Sequence, residues 1–415
     1  MHKRNDSRFK FQFAWLMWMR LEDICTVFTD GDWIESKDQA DEGIRLIQTG
    51  NIGMGAYLEK EEKAKYISEE TFNKLKCTEI FSGDILVSRL PEPVGRACII
   101  PEKKERMITA VDCTICRSNE AIVCKEYLCY FMRSNAYYTR LLNSVTGTTR
   151  KRISRKNLGN VELDIPSKRE QEKVVKQLDC LVKVISSRIT ELQRLDDLIK
   201  ARFVEMFGDP IMNQKGWRVK TLGELSVQIN SGNTPKGGEQ VYTKKGITFF
   251  RSQNVWKDRL EMKDIAYIDE KTHASMKKSS LKHGDILMTK TGRINTVNSS
   301  LGRAALYLGE DDAANVNGHV YFIRLKPNVN NKFVLRILVS NEYRDYIRSV
   351  CVGGIDKRQL NKNHIEDFPI ICPPKDMVDE YIDFVNQVHK SKVEIQQALE
   401  KTQLLFDSLM QQYFG

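Results

Sequence analysis

PSKREQEKVVKQLDCLVKVISSRITELQRLDDLIKARFVEMFG, residues 166–208, is the stretch whose reading decides the fold. Apolar side chains recur at Val174, Leu178, Leu181, Ile185, Ile189, Leu192, Leu195, Ile199, Phe203 and Met206. The steps are threes and fours, so these groups share one face of a single long helix. Pro166 can open that helix, since the N–H it lacks would have no partner in the first turn. Gly208 can close it in the left-handed conformation. The other faces carry charged and amide side chains, and a helix this long needs a partner for its stripe.

The partner stands at residues 373–415, with a stripe at Val378, Ile382, Val385, Val388, Ile395, Leu399, Thr402, Leu405 and Leu409. Pro166 and Pro373 are 207 residues apart, and so are Phe207-Gly208 and Phe414-Gly415. The duplication continues upstream. Gly83-Asp84-Ile85-Leu86 recurs as Gly284-Asp285-Ile286-Leu287, and Gly95-Arg96-Ala97 as Gly302-Arg303-Ala304. IRLIQTGNI at 44–52 resembles ITFFRSQNV at 247–255, and Lys151-Arg152 recurs as Lys357-Arg358. The chain is two copies of one unit, each a globular part of about 150 residues followed by a long helix, a period too long for a solenoid.

Working outward gives a leader at 1–18, a first globular domain at 19–165, the central helix at 166–208, a linker at 209–216, a second domain at 217–371 and the last helix at 372–415. In the first domain, strands are expected at Ile44–Ile47, Ile85–Ser88, Ala97–Ile100, Met107–Ile115 and Val161–Ile165, and helices at Glu69–Leu75 and Lys125–Leu142. The second repeats the order, with strands near Ile247–Phe250, Ile286–Thr289, Ala304–Leu308 and Val320–Leu325, and helices near Glu270–Lys277 and Asn331–Arg348. The class is mixed α/β without the regular alternation of a doubly wound sheet. The leader has basic residues before a short apolar run, which is too short to span a bilayer and is followed by no small-x-small cleavage site.

The 415 residues suffice for two or three domains, and a hydrophobic content of 41% allows proper cores. A formal net charge of +10 points toward a polyanionic partner such as nucleic acid. Ten cysteines in an intracellular-looking chain read as free thiols. Cys113, Cys116, Cys124 and Cys129 could be four zinc ligands, but the second copy sets Val320 and Ile323 opposite the first two, as expected of buried thiols on a strand. Asp84 with Glu102 and Lys104 has the spacing of a metal-dependent nuclease site, yet the second copy keeps only Asp285, and Gly-Asp before a strand is ordinary turn chemistry. No phosphate-binding G-x-x-x-x-G-K-[ST] loop occurs. The one Pro-Pro pair at a strand end, Pro373-Pro374, lacks the polar and aromatic neighbours a base-methylating site needs.

What remains is three basic loops rich in Gly, Thr, Ser and Asn, at matching places in both copies. They are Gln48–Asn51 with Arg251–Asn254, Ser88–Arg96 with Thr289–Arg303, and Thr146–Lys156 with Gly353–Lys362. Arg, Lys, Gln and Asn can make bidentate contacts to base edges, while Gly and Thr amides suit phosphates. The candidate DNA contacts are Gln48, Asn51, Arg89, Arg96, Thr148, Thr149, Arg150, Lys151 and Arg152 in the first copy. In the second they are Arg251, Gln253, Asn254, Lys290, Arg293, Asn295, Arg303, Lys357 and Arg358. No catalytic residue and no metal ligand is assigned.

This layout resembles the specificity subunit of a type I restriction-modification system. The residues carrying the resemblance are Arg20-Leu21 with Trp217-Arg218-Val219, the Gly-Asp-Ile-Leu strands, the paired basic loops, and the endings Met206-Phe207-Gly208 and Tyr413-Phe414-Gly415. It covers nearly the whole chain from about residue 19. It implies two target recognition domains, held apart by two long helices in an antiparallel coiled coil with an internal pseudo-twofold repeat. Each domain would read one half of a bipartite, asymmetric site on double-stranded DNA. The helices would also dock two methyltransferase subunits, which bind S-adenosylmethionine and flip the target adenine; motor-nuclease subunits can join. The chain itself would hold no cofactor, catalyse nothing, avoid membranes and work in the cytoplasm. Rival readings are a stand-alone DNA-modifying enzyme and a DNA-independent coiled-coil scaffold.

Overall fold

A computed structural model describes residues 17–415, except 146, 148–150, 295, 297 and 355. The two long helices run over Lys168–Phe207 and Lys375–Phe414, each 40 residues. Pro166 lies ahead of its helix rather than inside it, and Ser167 caps instead, its hydroxyl accepting from the Glu170 N–H at 3.4 Å. Gly208 closes the first helix at φ +77°, donating to the Val204 carbonyl at 2.8 Å. Trp217 Nε1 and Lys215 Nζ reach back to the carbonyls of Phe207 and Met206, which the helix leaves without partners. No helix among the described residues is long and apolar enough to cross a membrane.

The chain folds into two compact units, residues 1–190 with 395–415, and residues 191–394. In the first unit, Cys25–Asp30, Cys113–Ser118, Ile85–Ser88 and Ala97–Ile99 form an antiparallel sheet in that order. A second sheet orders Tyr66–Ile67, Ile44–Ile47, Met107–Thr109 and Glu79–Ile80, with a parallel pair at its centre. Met17–Arg20 pairs with Glu162–Ile165, so the strand begins inside the expected leader; residues 1–16 lie outside the described residues. Leu21 and Leu178, both fully buried, join the same core as Phe406, Met410 and Phe414 from the far end of the last helix.

The second unit repeats this plan. Its antiparallel sheet orders Ser226–Ser231, Val320–Leu325, Ile286–Thr289 and Ala304–Leu306, and Ile247–Phe250 runs parallel to Ala314–Val316 in the smaller sheet. Val219–Thr221 pairs with Pro369–Ile371, as Met17–Arg20 pairs with the strand before the first helix. The register confirms the repeat. Ile85 faces Cys116 and Ser88 faces Cys113, while Ile286 faces Ile323 and Thr289 faces Val320. Phe207 lies 5.0 Å from the Phe333 ring, and its counterpart Phe414 lies 5.1 Å from Tyr127, the counterpart of Phe333. Each long helix therefore ends in the core that belongs to the other copy.

Within each unit the helices run antiparallel. In the first, Tyr413 donates to Gln177, and Arg188 donates to the Ala398 carbonyl and the Thr402 hydroxyl. In the second, Lys392 pairs with Asp196 at 2.5 Å and Arg202 with Glu380 at 2.7 Å. The apolar stripes hold except at two points. Ile189 is 54% exposed, because the neighbouring Arg188 takes the contact with Thr402. Leu405 is 50% exposed, and Phe406, Met410 and Phe414 are buried in its place, an i, i+4 row facing Tyr127, Tyr130 and Phe131.

Three expected elements are each split in two. Lys125–Leu142 becomes Lys125–Phe131 and Asn135–Leu142, and Asn331–Arg348 becomes Asn331–Leu338 and Asn341–Val350. Ser134 and Ser340 make both breaks as N-caps, each accepting from an N–H three residues on at 3.1 Å. Met107–Ile115 breaks into Met107–Thr109 and Cys113–Ser118, which belong to different sheets.

Candidate nucleic-acid interface

In each unit the loops rise from a frame braced by an ion pair on a buried carboxylate. Asp84 accepts from Arg117 Nε and Nη2, both at 2.8 Å, and from the Phe81 N–H at 2.9 Å. Asp285 repeats all three contacts with Arg324 and the Lys282 N–H. The hydrogen bond it donates to Asp84 is the first cause raising the Arg117 guanidinium above its ordinary range, and Asp285 acts likewise on Arg324. The nuclease spacing thus dissolves into a turn with a structural carboxylate. The cysteine spacing dissolves too: Cys116 packs in the core with Ile85 and Val87, whereas Cys113 packs on the opposite sheet face with Leu86 and Cys98. We expect Asp84→Ala or Asp285→Ala to cost about 1–3 kcal/mol. This lies below the ~3–5 of a fully buried pair, because the arginine partners are partly solvated. Urea melting of the full chain measures it, and an unchanged midpoint would show the pair to be ornamental.

The structure brings the three loops together in each unit. In the first, Arg96 donates from its guanidinium to the carbonyls of Ile52 (2.7 Å), Thr49 (2.8 Å), Leu90 (2.9 Å) and Pro93 (3.2 Å), tying the 48–51 turn to the 90–93 loop. The Ile153 N–H donates to the Arg89 carbonyl at 3.3 Å, tying in the third loop. In the second, Leu360 donates to the Lys290 carbonyl at 2.9 Å. Thr291–Gly292, Arg358–Gln359 and Val352–Gly353 form a small sheet joining the second and third loops. Arg303 stacks on Trp256, 3.9 Å from the ring centre, and Trp256 Nε1 donates to the Gln253 carbonyl at 3.0 Å.

Several candidates are bonded within the protein. Asn51 accepts from the Gln48 N–H and donates to the Leu58 carbonyl, both at 3.0 Å, and is buried. Asn254 makes the same pair of contacts, with the Arg251 N–H at 3.0 Å and the Glu261 carbonyl at 3.1 Å. A buried amide whose donor and acceptor are satisfied within the protein holds a turn. Arg89 is 5% exposed, 3.3 Å from Asp30 and bonded to the Val111 carbonyl at 2.6 Å; burial holds its guanidinium below the ordinary range. Arg96 is consumed by its four carbonyls. Arg251 donates to the Asp264 carbonyl and carboxylate, and Arg358 to the Cys351 carbonyl at 3.3 Å. These guanidiniums sit where backbone carbonyls converge, so the loop folds around them.

Other candidates face outward. Lys151, Gln253, Arg293 and Lys357 are exposed. Arg152 is half-exposed and 2.9 Å from Asp112. Gln48, Lys290 and Arg303 are half-buried. Thr148, Thr149, Arg150 and Asn295 lie outside the described residues. Sequence reasoning missed Trp256 with Lys257, Arg259 and Arg344, which line the second unit's loops; a comparison of hairpin 255–260 with 52–57 would have found three of them.

A family model described as the type I restriction modification DNA specificity domain matches residues 16–197 and 214–404, most of the chain. The specificity subunit of the type I restriction enzyme StySPI of Salmonella potsdam is 22% identical over 284 residues, 65% of this chain and 59% of its own length. That of MjaIX of Methanocaldococcus jannaschii is 24% identical over 310 residues, 69% of this chain and 68% of its own. The chain thus spans about three fifths to two thirds of these relatives. Among solved structures, the type I restriction-modification S subunit from M. genitalium superposes with a TM-score of 0.54 at 12% identity, covering 97% of both chains. A chain from a study of complex assembly and conformational transition of the type I restriction-modification system gives 0.58 at 16%, covering 96% of this chain and 97% of the other. Both likenesses concern the fold. With nearly its whole length matched in two successive segments, the chain belongs to the family of type I restriction-modification DNA specificity subunits.

Proposed function

We propose that this chain reads DNA for a type I restriction-modification complex, each unit reading one half of a bipartite, asymmetric site on double-stranded DNA. The observation that carries this reading is the duplicated loop edge: one scaffold, built twice, presents three joined loops whose outward side chains differ between the copies. Lys151 and Lys357 match, while Arg152 is exposed only in the first copy and Gln253 and Arg293 only in the second, where Gln253 stands in place of Gly50. Differing side chains on a common frame are what reading two unlike half-sites requires.

The long helices act as spacer and as docking surface for two methyltransferase subunits. Apolar side chains left on their outer faces support the second role: Ile189, Leu198, Val204, Val393 and Leu404 are each at least 45% exposed. S-adenosylmethionine belongs to the partner, as do base flipping and methyl transfer; motor-nuclease subunits complete the assembly, and the cytoplasm is its place. The residues of this chain position DNA and catalyse nothing.

The full chain, with its methyltransferase partner, is expected to retard duplex pools of random sequence and to enrich a split motif on repeated selection. The isolated chain is expected to show neither nuclease nor methyltransferase turnover. Turnover that survives extensive purification would favour a stand-alone enzyme, and binding to the partner without binding to DNA would favour a scaffold.

A further inference from the structure

Each unit carries a fourth element at its loop edge, a turn between the first and second loops. In the first unit it is 110–112, directly after Met107–Thr109. The Ala110 N–H donates to the Ile47 carbonyl at 3.0 Å, just ahead of Gln48. The Asp112 carbonyl accepts from the Arg89 N–H at 2.9 Å. In the second unit the turn is 317–319. The Asn317 N–H donates to the Phe250 carbonyl at 2.9 Å, just ahead of Arg251, and the His319 carbonyl accepts from the Lys290 N–H at 2.9 Å. The third loop joins at those same residues, Ile153 donating to the Arg89 carbonyl and Leu360 to the Lys290 carbonyl. One backbone pattern, built twice, therefore brings Asp112 beside Arg152, the residue before Ile153. It likewise brings His319 beside Gln359, the residue before Leu360.

In the first unit the two side chains close on each other: the Arg152 guanidinium lies 2.9 Å from the Asp112 carboxylate. In the second, His319 and Gln359 are both exposed. Among the described residues neither side chain makes a hydrogen bond or an ion pair. The frame is held without them. Arg358–Gln359 pairs through its backbone with Thr291–Gly292 and with Val352–Gly353. The Asn317 amide oxygen accepts from the His319 N–H at 3.0 Å, fixing the backbone that carries the imidazole. Where the first unit spends two side chains on a brace, the second presents an imidazole, which donates a ring N–H, and an amide, which donates and accepts.

We propose that His319 and Gln359 read bases in the second half-site. The Gln359 amide pairs with an adenine edge, accepting from N6 and donating to N7, and the His319 ring N–H donates to an acceptor of the adjoining base pair. The proposal rests on the DNA-reading function and deepens it: the second half-site carries a base requirement at a place where the first unit is sealed by its own ion pair.

The test compares the full-length chain, in complex with its methyltransferase partner, with His319→Asp/Gln359→Arg, which installs the pair the first unit already accommodates. The methylated motif is sequenced, and affinity is measured on duplexes carrying each single-base change in the second half-site. Wild type should discriminate roughly five- to hundredfold at each base that these side chains read. The double variant should lose or change that requirement at one or two adjacent positions, with the first half-site untouched. Gln359→Ala and His319→Ala, each removing an exposed side chain, cover a double variant that melts early, and each should relax one position. A second half-site unchanged in all three variants overturns the proposal. So does a loss of affinity by the same factor on cognate and random duplex, which assigns both side chains to the phosphate backbone. Wild-type complex that enriches no motif sinks the DNA reading itself, a separate outcome.

Discussion

Replacing residues 217–371 with the matching segment of a relative changes one half of the methylated sequence completely and leaves the other half untouched. The cut points fall outside the closing pair Val219–Thr221 and Pro369–Ile371, so the graft brings its own sealed sheet edge. Against the old half-site each mismatched base pair costs about 1–3 kcal/mol, roughly additively. Three mismatches therefore remove roughly a hundredfold or more in affinity, enough to erase methylation there. The graft is not independent of what flanks it. Leu222, Phe333 and Phe368 share a core with Ile199, Phe203, Phe207 and Tyr381 of the long helices. A donor with a small residue at position 333 would leave a hole beside Phe207, at about 3–5 kcal/mol. Donors should keep an aromatic residue there. Methylome sequencing of a host carrying the hybrid and its partner gives the answer, and a change in both halves would refute separate reading.

What sequence could tell about this chain follows from which interactions are local. Two 40-residue helices were legible because a three-four stripe is written along the chain itself, and the duplication because Gly-Asp-Ile-Leu is bound to a turn and strand in both copies. The split helices were missed although Ser134-Asn135 and Ser340-Asn341 are polar steps in the sequence, because a capping hydroxyl acts only through the backbone N–H it meets. The loops were located correctly, since glycine, asparagine and basic residues mark them. The contacts within them were not legible: Asn51, Asn254, Arg89 and Arg96 suit base edges by chemical type, and each also bonds backbone groups that sequence does not place nearby. Bidentate donors suit converging carbonyls as well as base edges, and only distance separates the two uses. The residues around Trp256 were hidden for the opposite reason. They come from a hairpin at 256–259, a loop at 303 and a helix at 344, and none forms a run.

Lengthening both long helices by one matched turn moves the two half-sites further apart on DNA without altering either. The insertions are a repeat of Glu191–Arg194 in the first helix and of Ile395–Ala398 in the second. Within the first unit Arg188 pairs with Thr402, and within the second Asp196 pairs with Lys392, both antiparallel, so each insertion falls between the pairs of one unit and those of the other along its own helix. Repeating them keeps the apolar steps at three and four, since Leu192 is followed four residues later by its copy and then, after three more, by Leu195. An insertion in one helix alone would push every later pair out of register, which is why both are needed. Four residues add about 6 Å and turn the helix about 40° beyond one full rotation. DNA advances roughly 3.4 Å and turns roughly 34° per base pair, given 10–10.5 pairs per 34–36 Å. The added length therefore corresponds to about two base pairs and the added twist to about one, and the unspecified spacer should grow by one or two pairs. Activity falls somewhat because length and twist do not match perfectly. The methylated motif of the double-insertion variant decides it: a variant that still methylates with the original spacer would show that something other than the helices sets the distance.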